Sequence, residues 1–218
     1  MTTTNTYTVG QVCTRALRLC GASPKSQEPE ASDMADAIII LDMMLKGWQG
    51  FEGLAYVATT LSVTLTAANI YTLDPIRPVR ILSCRFKRSS SNEIEMIELT
   101  RDEYDELPNK DGTGIPTSFH YDRQREAARL LIWPTLAVVA DETLEITYER
   151  EFTDMVQADV IDVPGEWFEA VVYGLASRLI DEYGIQDRPQ ITARAVLAEA
   201  IAFGSERADS VFFQPRVM

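Results

Sequence analysis

The chain offers few side chains to a catalyst. Its one histidine, His120, sits between Phe119 and Tyr121. A histidine-based nucleophilic site also needs a nucleophile beside the imidazole and a carboxylate to orient it, and no nucleophile-elbow pattern is present. The three cysteines are Cys13, Cys20 and Cys84, and with one histidine they make no close ligand pair of the kind zinc requires. Cys13 and Cys20 stand about 10.5 Å apart along a helix axis, too far for a disulfide. Sparse, odd-numbered cysteine fits a reducing compartment and packing roles. Gly112-Thr113-Gly114 lacks the strand-to-helix context of a phosphate loop and reads as a turn. Asn109 to Asp111 does not supply the alternating acids of a calcium loop. No cofactor and no metal are therefore expected. Two carboxylates suffice for a glycosidase, but among 33 acids some pair always lies close, so that pattern carries little information.

Three features suggest contact instead of catalysis. Arg77, Arg80, Arg85, Lys87 and Arg88 cluster on adjacent predicted strands. They read either as a patch for an acidic partner or DNA, or as a charged strand edge that prevents sheet-to-sheet association. From Asp141 to Asp187 there are thirteen acids against two bases, Arg150 and Arg178. That imbalance serves solubility, or it repels polyanions. Val211, Phe212, Phe213, Pro215 and Val217 make the end of the chain apolar without helical spacing, which suits a segment tied down on a partner, with Arg216 as a further contact.

The elements that carry these features follow from periodicity. Val9, Val12, Ala16, Leu17 and Cys20 predict a helix capped by Thr8 and stopped by Gly21. Met34, Ile38, Leu41, Leu45 and Trp48 predict a second helix from about Asp33, capped by Ser32. Ile39, Ile40, Met43 and Met44 widen its apolar face, so it is expected to be buried on several sides, in a core or against another subunit. Strand composition then takes over at 57–65, 71–73, 79–86, 93–99, 118–121, 129–133 and 144–152. A short helix capped by Thr100 interrupts it. These strands predict a small antiparallel sandwich or barrel. Helices return after Asp162. Pro164 opens one at its first position, and Gly184 stops it. Pro189 opens another, to about Ala208, with Ile191, Ala195, Leu197, Ala198, Ile201 and Ala202 inside.

The chain has 218 residues, a net charge of -13 and a mean hydropathy of -0.08, a globular profile long enough to build a core. Its best apolar run, Ile38 to Leu41, is stopped by Asp42, far short of the ~20 residues of a membrane span. Met1 to Gly10 lacks the basic and apolar regions of a secretory signal. An acidic chain will not grip nucleic acid by charge. The fold class expected is α+β. An α-helical bundle forms from the terminal helical pairs (1–55 and 161–208), with an inserted β-rich domain (56–160) and an extended arm (209–218). Neither helical pair buries its apolar faces alone.

This order, with several local phrases, resembles the head-to-tail adaptors of short-tailed bacteriophages, also called tail tubular protein A or packaged-DNA stabilisation proteins. The phrases are Tyr71-Thr-Leu-Asp-Pro75, Tyr121-Asp122 leading to Leu131-Ile-Trp-Pro134, Leu144-Glu-Ile-Thr-Tyr-Glu-Arg150, Val163-Pro-Gly-Glu-Trp167, and Tyr173-Gly-Leu-Ala-Ser-Arg-Leu179 with Tyr183-Gly184.

The resemblance implies a non-enzymatic virion protein, assembled in the host cytoplasm and located in the neck. It implies a homo-oligomeric ring of about twelve copies built on heterologous contacts beneath the portal protein. The C-terminal arm would reach the portal, and the tail nozzle or hub protein would dock on the other side. The β-rich part could also hold tail fibres. DNA would pass through the channel without specific binding, and no membrane is involved. Met34, Met43, Met44 and Trp48 are expected in the core or between subunits. The competing readings are a long-tailed-phage connector or stopper, a carboxylate-based glycan hydrolase of the virion, and an acidic inhibitor that mimics DNA.

Overall fold

The computed structural model describes residues 7–51, 57–74, 77–88, 93–137, 142–186 and 188–207, without the side chains of 51 and 205–207. The chain is α+β and divides into two units. One comprises Met1–Glu52 with Phe152–Met218, the other Gly53–Glu151. Phe152 to Val160, expected in the insert by the bounds 56–160, thus groups with the helices.

In the helical unit, α1 spans Val9–Cys20. Thr8 Oγ1 accepts from Gln11 N–H while the Gln11 side chain accepts from Thr8 N–H, a reciprocal cap. The first amides, which a helix cannot satisfy itself, are taken by the returning chain. Val9 N–H donates to Asp159 O (2.8 Å) and Gly10 N–H to Gln157 O (2.9 Å). Gly21, at φ 93°, ends α1 by donating to Leu17 O, a left-handed position that suits glycine.

The second helix, α2, spans Ala31–Phe51. It begins two residues before the predicted Asp33, because Met34 N–H already donates to Glu30 O; Ser32 lies inside it. Pro164 is also not the first residue of an α-helix. It accepts the Trp167 N–H and precedes a 3₁₀ turn, Gly165–Trp167. From that turn the longer helix α4, Phe168–Glu182, runs on, followed by α5, Pro189–Arg207; the short helix α3 belongs to the other unit.

Helix α4 packs against α1, α2 and α5. The fully buried Trp167 meets Phe203 edge-on at 4.8 Å and Trp48 at 5.8 Å between ring centroids. Met34, Met44 and Trp48 are buried, whereas Met43 is 68% exposed.

The β-rich unit holds β1 (Ala58–Thr64), β2 (Ile70–Leu73), β3 (Arg80–Lys87), β4 (Glu93–Glu95), β5 (Ile97–Glu98), α3 (Arg101–Asp105), β6 (Ser118–Asp122), β7 (Ala128–Trp133) and β8 (Thr143–Glu149). They form two four-stranded sheets, β1-β8-β3-β4 and β2-β7-β6-β5. All pairs are antiparallel except β5–β6, which is parallel. The inward residues of both sheets, including Phe86, Leu130, Ile132, Leu144 and Ile146, share one core, as in a sandwich.

The single predicted strand over 93–99 is two strands in different sheets. Between them Met96 is buried and its N–H donates to Cys84 O, so the chain crosses from one sheet to the other at that residue.

Candidate functional site

Each of the five clustered cations faces an acid. Arg80 Nε lies 3.0 Å from Glu149, Arg88 Nε 2.8 Å from Glu142, and Arg77 pairs with Glu151. Lys87 Nζ is 3.2 Å from Glu93 and 3.5 Å from Glu145, and Arg85 is 3.7 Å from Glu93. The hydrogen bond that Lys87 donates to Glu93 leads in holding the ammonium above its ordinary pKa. The strand β3, which carries three of these cations, lies between β8 and β4. Arg85 and Lys87 stand on the stretch of β3 that also pairs with β4, whereas Arg80 stands on the stretch that pairs with β8 alone. Cross-strand opposite charges of this kind support the sheet.

The same pairs absorb part of the acidic stretch. Glu142, Glu145, Glu149 and Glu151 all face these cations, while Asp154 pairs with Lys46 and Glu169 with Arg194. Asp159, Glu166, Asp181 and Glu182 remain exposed on the helical unit.

The chemistry-bearing residues are held as packing groups. His120 Nδ1 lies 2.9 Å from Leu99 O, and the ring stacks on Tyr104. All three thiols are free and buried. Burial pushes Cys13 and Cys84 up to about 12 and raises Cys20, which keeps a thiol from acting as a nucleophile. Among the described residues no group of three or more His, Cys, Asp and Glu could hold a metal ion. No described helix is long and apolar enough to cross a membrane.

What the helical unit does present is apolar surface. Helix α5 buries only the small side chains Ala195, Ala198 and Ala202, while Val196, Leu197 and Ile201 stand 63%, 61% and 64% exposed. Leu197 and Ile201 were expected inside. The helix is apolar on both sides, and periodicity alone does not say which side meets a neighbour. Exposed Ala193, Ala200 and Gly204 complete a stripe at i, i+3, i+4, i+7 spacing. On α2, Ile39 and Met43 form a second exposed apolar face with Ala35 and Gly47. A groove of about 1210 Å³ runs beside α1 and α4, bordered by Tyr7, Arg15, Arg18, Phe168 and Tyr173. Scattered apolar residues on a surface are ordinary; continuous ones mark an interaction site. The candidate arm residues Val211, Phe212, Phe213, Pro215 and Arg216 lie outside the described residues.

One family model matches the chain. Its description is SU10 adaptor protein, and it covers residues 7–211, nearly the whole length and both units. No curated protein matches.

Proposed function

The chain belongs to the SU10 adaptor protein family, and from that premise we propose that it is a structural adaptor of a phage neck. Copies join through heterologous contacts into a ring of about twelve. The ring sits beneath the portal protein, extends the DNA channel, helps retain the packaged genome and receives the tail nozzle or hub. The two terminal helical pairs act as one bundle, and the arm 209–218 reaches the portal. Exposed acids leave the phosphate backbone without a charged partner, so DNA slides past without specific binding.

The observation that carries this reading beyond family membership is the bare stripe on α5. One helical unit presents two unlike apolar faces, on α5 and on α2. Unlike faces on one copy are what a head-to-tail contact needs, one meeting the other on the next copy. The test is the double variant Leu197→Asp, Ile201→Asp, mixed with portal rings. Both side chains are already in solvent, so the fold should persist by circular dichroism while ring formation fails. Normal rings from this variant would remove α5 from the subunit contact.

A further inference from the structure

The outer edge of β1 is open. This strand is the first in the order β1-β8-β3-β4 and pairs on one side only. Two bracketing hydrogen bonds fix which of its backbone groups face β8. Leu65 N–H donates to Glu142 O (2.9 Å) and Arg150 N–H to Val57 O (3.2 Å). In an antiparallel ladder the bonding residues alternate. Thr59, Leu61 and Val63 therefore bond to β8, and the N–H and C=O groups of Ala58, Thr60, Ser62 and Thr64 point away from it. Among the described residues these outward groups have no partner.

The two edges of this sheet differ. Strand β4 is three residues long with two acids, and Glu93 is tied to Arg85 and Lys87. Strand β1 is seven residues, Ala-Thr-Thr-Leu-Ser-Val-Thr, without a charge or a proline. The register shift in this sheet lies between Ile81 and Ser83 of β3, not in β1. Edges that must stay single normally carry such devices. On the core side, Leu61 and Val63 pack against the shared core yet are only half-buried. A further strand would finish covering them.

We propose that the outer edge of β1 accepts an extended segment of another neck or tail protein, which adds a fifth strand to the sheet. The segment is uncharged beside Thr60 to Val63 and sets apolar side chains, in alternation, next to Leu61 and Val63. Among the described residues, no strand of a second copy fits. Antiparallel pairing of β1 with itself is two-fold symmetric, unlike a ring contact, and the other edge strands, β2, β4 and β5, have four, three and two residues. The adaptor reading supplies the source of the partner and nothing else here.

The experiment is amide hydrogen exchange, resolved to single residues, on the full chain alone and in a neck reconstituted with portal and tail proteins. Alone, the Leu61 and Val63 amides are protected while those of Thr60 and Ser62 exchange freely. In the neck, Thr60 and Ser62 gain protection of about 100-fold or more. Thr60→Pro and Ser62→Pro remove outward donors without touching the β8 ladder, as edge strands tolerate. Tail docking should weaken about tenfold, the loss expected from one or two hydrogen bonds. Should these variants fail to fold, Ser62→Lys blocks the edge by charge and is expected to weaken docking similarly.

Free exchange of Thr60 and Ser62 in the assembled neck, or undiminished docking of a folded variant, overturns the proposal. So does a fifth strand traced to this chain's own residues. A ring that forms on the portal with β1 still open sinks this inference and spares the adaptor reading; a chain that never joins the neck sinks both.

Discussion

Gly174 of α4 and Met44 of α2 touch so closely that a Cβ on Gly174 would lie 3.1 Å from Met44 Sδ. The same Cβ would sit 3.3 Å from the Trp48 ring and 3.1 Å from the Glu199 carboxylate of α5. The absent side chain lets α2 and α5 both lie against α4. Gly174→Val inserts a branched side chain where three groups converge. It should cost about 1–3 kcal/mol, read as a lower midpoint in urea unfolding. An unchanged midpoint would mean that this contact is loose.

The cation cluster makes a graded prediction. Glu142 has a side chain 5% exposed, its Oε2 makes no hydrogen bond, and Arg88 is the cation that meets it. Arg88→Ala leaves that carboxylate buried and unpaired. Because Arg88 itself is 47% exposed, water offsets part of the loss, and about 1–2 kcal/mol is expected. Arg85→Ala removes only a half-exposed pair at 3.7 Å and should lie within about 0.5 kcal/mol of the parent. Thermal or urea unfolding of the two variants checks the order, and equal effects would contradict it.

Local elements were legible in the sequence wherever a few neighbouring residues decide them. Thr8 with Gln11 and Thr100 with Glu103 form reciprocal caps, and three-residue spacing suffices to read that signal. Strand composition located every region that is a strand among the described residues. Where distant chain segments decide, the sequence was silent. The acids that neutralise Arg80 and Arg88 lie on the far side of the β-rich unit in sequence, and only sheet order brings them together. The strand break at Met96 depends on which sheet each half joins. On α5 the inward side carries Ala195, Ala198 and Ala202 with Phe203 against Trp167, while Val196, Leu197 and Ile201 are bare. The helix is apolar on both sides, so hydrophobicity alone could not say which side packs inward.

Alkaline solution should weaken the fold. Burial pushes the Cys13 and Cys84 thiols and the Tyr121 phenol up to about 12, from ordinary values of 9.0 for the thiols and 10.0 for the phenol. Above those ordinary values the unfolded chain releases protons that the folded chain keeps. Stability therefore falls as pH rises from 9 toward 12, and these three groups give no slope below that window. Tyr121 also donates its hydroxyl to Pro78 O at 2.5 Å, a bond that a phenolate cannot make. The urea midpoint should drop between about pH 9 and about pH 11. A flat profile over that range would contradict the burial of these groups.

The segment after Asp209 is expected to bind the portal. A chain ending there should keep its circular dichroism and melting profile and lose portal affinity by about tenfold or more, in line with removal of two phenylalanine anchors. Full affinity in the truncated chain would exclude Val211 to Val217 from the contact.

The central claim, a ring of copies beneath the portal, is tested most directly by mixing the purified full chain with portal rings and imaging the product. The expected image is a closed collar of copies on the tail side of each portal, with α5 of one copy against α2 of the next. Portals that stay bare at saturating protein, or that carry isolated copies with α5 facing solvent, would contradict it.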